Sequence, residues 1–184
     1  MLTIEPLAAP PEAAGEAKTY LRITGADEDE LVARLVRVAA ELCEQFTGQA
    51  LLARAVVETV EAAQAGRWRR LGRSPVRSIT SVEGASEGGE PVALPPDAYA
   101  IDIDANGDGW IKPAAAGSLR VTYQAGLAAA WETLPEPLRH GAIRMAAHLY
   151  AHRDAARGDG PPAAVTALWR PWRRLRIGGP CSRD

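Results

Sequence analysis

The chain has 184 residues, 47% of them hydrophobic, with 21 Lys+Arg against 23 Asp+Glu and a formal net charge of -2. That suffices for one ordinary core and gives no overall electrostatic pull toward nucleic acid or an anionic membrane. Two cysteines, Cys43 and Cys181, exclude a disulfide framework, and no apolar run is long enough for a bilayer, so a soluble protein made in a reducing cytoplasm is expected.

The first ten residues read as extended, because Pro6, Pro10 and Pro11 argue against a helix. The first basic residue is Lys18, which leaves no basic start of a signal peptide. Glu12–Arg22 is predicted as a short helix weakened by Gly15. Asp27–Gly48 is the strongest helix signal. Leu31, Leu35, Val38, Ala39, Leu42 and Phe46 recur in steps of three and four, with Arg34, Arg37, Glu41, Glu44 and Gln45 on the other side. Asp27 is placed to cap its start, and Gly48 falls where a left-handed residue ends a helix.

The period then changes. Ala53–Glu61, Arg67–Leu71, Val76–Val82, Tyr99–Ile103, Trp110–Lys112 and Leu119–Tyr123 read as strands, and Glu83–Pro96 as an exposed loop. About five strands in one compact sheet are expected. A second helix is predicted over Leu138–Arg153, striped by Leu138, Ala142, Met145, Ala146, Leu149 and Tyr150. Gly158–Pro162 breaks the chain, and Pro161-Pro162 starts a last short helix through Trp169. The fold class is α+β: an antiparallel helical core, an inserted small sheet over 53–124, and a C-terminal arm over 169–184.

Four patterns imitate chemistry. Asp102, Asp104, Asn106, Gly107 and Asp108 copy the front of a calcium loop, but its twelfth position is Pro113, and Asn106-Gly107 is a hairpin turn signal. Gly84-Ala85-Ser86-Glu87-Gly88 matches a nucleophile elbow, yet Gly89-Glu90-Pro91 does not start the helix that would lift the serine. His148 and His152 have zinc-ligand spacing without the catalytic glutamate or further ligands, so they and His140 read as partly exposed helix histidines. No catalytic residue, metal or cofactor is assigned. Arginine and tryptophan interleave at Trp169, Arg170, Trp172, Arg173, Arg174 and Arg176, a composition suited to an interface anchor or to nucleic acid.

Several short segments stand in a specific order: Glu16-Ala17-Lys18 with Leu21-Arg22; Leu31, Leu35, Ala39, Glu44, Phe46-Thr47-Gly48 and Leu51; Pro75-Val76 with Ser78-Ile79 and Ser81-Val82; Tyr99, Ile101-Asp102; and Val121, Tyr123, Ala125-Gly126. Over residues 12–172 this order resembles the head–tail connector (adaptor, head-completion) family of long-tailed double-stranded DNA phages and phage-like gene transfer particles. The resemblance implies a structural virion protein with residues 1–168 as one connector domain. It implies a homo-oligomeric ring, commonly twelve-fold, under the portal, a tail-side connector or terminator as second neighbour, and passage of double-stranded DNA. It places the protein at the virion head–tail interface, assembled in the host bacterial cytoplasm with no membrane contact. Portal contact is expected from Trp169, Arg170, Trp172, Arg173, Arg174 and Arg176, and ring or core packing from Leu31, Leu35, Leu42 and Phe46. The alternative is a small cytoplasmic nucleic-acid-binding module using the basic segments 67–77 and 170–176.

Overall fold

The computed structural model describes residues 1–85, 91–152 and 160–174. Among them the chain divides into two compact units, one of residues 1–5, 53–85 and 91–127, the other of 6–52, 128–152 and 160–174. The first is built of strands and the second of helices, so the fold is mixed α+β. No helix among the described residues is long and apolar enough to cross a membrane.

The helical unit contains α1 (Pro11–Leu21), α2 (Asp29–Thr47), α3 (Glu136–Ala151) and α4 (Ala163–Trp169). Helix α1 opens on Pro11, where a missing N–H costs nothing, and buries Ala13 and Ala17. Such small side chains permit close backbone approach to a neighbour. Lys18 forms an ion pair with Asp29 at the start of α2.

Helix α2 starts two residues later than expected, and Asp27 is not its cap. Glu28 holds the N-cap position without a side-chain capping bond. Its carboxylate instead accepts a hydrogen bond from the Tyr150 hydroxyl of α3 at 2.7 Å. A tertiary partner 122 residues away thus replaces the local one. At the other end Gly48 adopts φ 71°, and its N–H donates to the Glu44 carbonyl. That is the left-handed C-terminal turn its position predicts.

The sealed face of α2 consists of Val32, Val36, Ala39, Ala40, Cys43 and Thr47. Leu31, Leu35, Val38, Leu42 and Phe46 are half-buried. At about 100° per residue the two sets lie roughly a quarter-turn apart. The apolar arc is therefore broader than a single core-facing stripe, and the smaller residues occupy its tightest part. In α3 the buried residues are Leu138, Gly141, Ala142, Ile143, Met145 and Ala146, while Leu149 and Tyr150 are half-buried.

Among the described residues the strand unit holds two antiparallel sheets, where one of about five strands was expected. The first has the order β1 (Leu2–Ile4), β2 (Arg54–Ala62), β8 (Gly117–Ala125), β4 (Val76–Ala85), β5 (Pro91–Ala93). The second has β3 (Arg69–Arg70), β7 (Gly109–Pro113) and β6 (Tyr99–Ile103). The strands missed by the alternation are β1 and β5, each three residues long. So short a run carries no periodic signal and is held by its partner, as Leu2–Ile4 is by Val56–Glu58. Two register shifts in β4 opposite β8, between Val76 and Ser78 and between Ile79 and Ser81, bend the first sheet. The core of this unit includes Val56, Val60, Val82, Ile111, Val121 and Tyr123.

Buried Tyr123 ties strand to loop. Its hydroxyl donates to Glu58 Oε2 at 2.8 Å and accepts from the Arg73 N–H at 3.0 Å. The same carboxylate oxygen takes the Gly72 N–H at 2.7 Å. Burial first, and the negative Glu58 second, push the phenol well above its ordinary value.

Candidate functional site

The basic, aromatic C-terminal segment was the strongest site candidate in the sequence, and its described part is seated on the end of α2. The seat begins with Thr47, whose hydroxyl donates to the Cys43 carbonyl at 2.7 Å, and continues through the left-handed Gly48. Because Gly48 turns the chain sharply, the next residue, Gln49, is carried inward and is only 5% exposed. Its Nε2 donates to the Trp172 carbonyl at 2.6 Å. The Arg174 N–H donates to the Thr47 carbonyl at 2.7 Å. The Phe46 ring lies 5.8 Å from the Trp169 ring, and the Arg173 guanidinium stands 5.6 Å over Phe46.

These contacts divide the six predicted residues. Trp169 is fully buried and belongs to the core of the helical unit. Its indole lies against Gly141 of α3, where a β-carbon would stand 2.2 Å from Nε1. A glycine in mid-helix costs about 1 kcal/mol relative to alanine, and here it makes the slot for the indole. Arg170 and Arg173 are exposed, whereas Trp172 and Arg174 are half-buried. Arg176 lies outside the described residues. Pro171, in the short 3-10 turn Arg170–Trp172, is exposed beside the two outward arginines.

The first basic segment belongs to the strand unit and is partly occupied by structural work. Arg70 pairs with Asp108 at 3.7 Å, and an Arg77 N–H donates to the Leu127 carbonyl at 3.4 Å. The Lys112 ammonium stands 5.9 Å over the Trp68 ring, and Arg67 is exposed.

Two of the imitated motifs resolve as local structure. Asp104 Oδ1 accepts from the N–H groups of Asn106 and Asp108 at 2.9 and 3.0 Å, and Oδ2 accepts from the Trp110 indole at 3.0 Å. Gly107 takes φ 75° between β6 and β7, so the segment is the hairpin turn its Asn-Gly predicts. The His148 and His152 rings lie with centroids 4.2 Å apart and planes tilted by 35°, and His140 is exposed near Tyr20. Among the described residues no group of three His, Cys, Asp or Glu is placed to hold a metal ion. Ser86 lies outside the described residues. Burial, and then the neighbouring Glu44, push the Cys43 thiol well above its ordinary value, which makes it a packing residue rather than a nucleophile.

Sequence reasoning missed Gln49 and Gly141. Nothing local marks Gln49, since its partner is 123 residues away. Gly141 carried a weak signal, a glycine inside an otherwise good helix, which points to close packing.

No family model matches the chain, and no curated protein does. Solved structures do. The chain is 28% identical to one from the neck of an empty gene transfer agent (GTA) particle computed with C6 symmetry, covering 97% of this chain and 98% of that one with a TM-score of 0.76. It is 26% identical to one from the virion of a native GTA particle, with the same coverage and a TM-score of 0.75. A third likeness, 24% identical with a TM-score of 0.73, is to the neck of a native GTA particle computed with C12 symmetry and bears on the fold alone.

The fold is thus that of a structural component of a phage-like particle. Likeness over nearly the whole chain to the neck of gene transfer agents supports a head–tail connector-type phage protein.

Proposed function

We propose that this chain is a head–tail connector subunit: copies of it form a ring beneath the portal, joining the DNA-filled head to the tail and continuing the DNA channel. The observation that carries the reading is the end-to-end likeness to a GTA neck chain, 97% of one and 98% of the other at a TM-score of 0.76. The C6 symmetry of that neck supports a homo-oligomeric ring, for which twelve copies are proposed.

The role is mechanical. A ring subunit needs two different surfaces that meet head to tail and close by rotation. The antiparallel helical core supplies one of them, with the half-buried stripe of Leu31, Leu35 and Leu42 as the ring contact. Its apolar side chains are only partly sealed within one chain, so a neighbour gains by covering the rest. The portal contact is assigned to the exposed Arg170 and Arg173 with Trp172 between them, repeated around the ring so that modest contacts add. A tail-side neck protein is the second partner, and assembly takes place in the bacterial cytoplasm.

The test is binding of the full-length chain to its own portal ring, against an Arg170→Glu/Arg173→Glu double variant. Both residues are exposed, so the variant is expected to fold and to lose at least tenfold in portal affinity. Failure of the wild-type chain to bind any portal, together with DNA binding that weakens steeply with salt, would replace the connector with a nucleic-acid module using segments 67–77 and 170–176.

A further inference from the structure

We infer that Gln49 is the positioning residue of the partner-facing C-terminal segment: the Phe46–Gln49 turn is a socket that holds residues 169–174 as a preformed strap rather than a free arm. The inference rests on the portal reading only for the identity of the partner. The strap itself stands on bonds within the helical unit.

Three contacts act at successive points of the strap. Trp169 is the root, buried in the slot at Gly141 and packed on Phe46. Gln49 grips the middle by donating its side-chain amide to the Trp172 carbonyl. The Thr47 carbonyl grips the far end through the Arg174 N–H. The turn that supplies both grips exists because Gly48 is left-handed, and a β-carbon there would stand 3.1 Å from the Arg174 carbonyl oxygen. The glycine therefore serves twice, as helix terminator and as floor of the socket.

The chemistry of Gln49 suits this work. A buried primary amide must find partners, and a main-chain carbonyl satisfies it whatever side chain that residue carries. Gln49 thus reads the path of the strap rather than its sequence. With the backbone held at Trp172 and Arg174, the exposed guanidinium of Arg170 and that of Arg173, set over the Phe46 ring, point from a rigid base. A surface ordered before binding loses less conformational entropy when a partner arrives, so holding the strap raises affinity without adding a contact.

The experiment compares the full-length chain with Gln49→Met, which keeps length and apolar packing but removes the donor, and with Gln45→Met, an exposed control in the last turns of α2. Trypsin cleavage after Arg173 and Arg174 reads release of the strap directly. Cys43 reactivity toward a thiol reagent, in a Cys181→Ser background, reads whether the helical unit remains folded. Gln49→Met is expected to be cleaved at these arginines about tenfold faster, as loss of a buried hydrogen bond implies, with Cys43 still protected. Gln45→Met is expected to behave as wild type. Equal cleavage of Gln49→Met and wild type would overturn the inference. Faster cleavage accompanied by exposure of Cys43 would also overturn it, by showing a general structural role. Portal affinity is measured on the same samples. If faster cleavage is found while no variant binds the portal, the socket stands and the portal reading falls.

Discussion

At the scale of single residues, the molecule turns on groups whose value comes from what they omit. Gly141 contributes no side chain, and the Trp169 indole fills that space. Gly141→Ala is expected to destabilise the helical unit by about 1–3 kcal/mol, the usual result of overpacking, even though alanine is the better helix former. Urea titration followed by tryptophan fluorescence measures this, and an unchanged midpoint would refute the slot. Cys43 gives a pH prediction. Its folded-state value is raised above the ordinary 9.0, so its contribution is fully present below pH 9 and is lost as pH rises beyond it. Tyr123 acts in the same direction from its ordinary value of 10.0. Stability is therefore expected to fall progressively above pH 9, and Cys43→Ala to soften the first part of that fall, as thermal melts between pH 8 and 10.5 would record.

At the scale of elements, local signals were legible wherever a residue's own backbone decided the outcome. The Asn106-Gly107 turn and the Gly48 terminator were both readable, because φ near 75° is a property of glycine and needs no distant partner. Gly107→Ala is expected to cost about 1–2 kcal/mol from the left-handed conformation, with additional strain because its β-carbon would lie 2.8 Å from Pro75 Cβ. A comparison of thermal melts with the exposed-site control Ala105→Gly would test it. The main strands were readable from alternation, and β1 and β5 were not. The Tyr123 hydroxyl links β8 to β2 and to the Gly72–Arg73 loop. Tyr123→Phe is expected to cost about 1–3 kcal/mol by leaving the Arg73 N–H without that acceptor, which chemical denaturation would measure.

At the scale of the whole molecule, the consequence concerns where the chain can be cut. Truncation after Leu168 removes Trp169 along with the strap, and loss of a buried tryptophan costs about 3–5 kcal/mol. Such a chain is expected to lose helical content, so its failure to bind a partner would say little about the arginines. Truncation after Arg174 keeps the root and both socket bonds and is expected to retain the helical content that the shorter chain loses. Circular dichroism on the two truncations separates these outcomes.

The sequence by itself determined the helices, the longer strands, the tight turns and the order of features that suggested a connector, because each depends on spacing within a few residues. Tertiary structure alone decided which face of α2 is sealed and which is left half-covered, since a broad apolar arc does not say where its neighbours stand. It alone moved Trp169 from the arm into the core and set Gln49 against Trp172. Those choices rest on pairs such as Phe46 with Trp169 and Gln49 with the Trp172 carbonyl, 123 residues apart. No local pattern encodes such a pairing; it exists only once the chain has closed on itself.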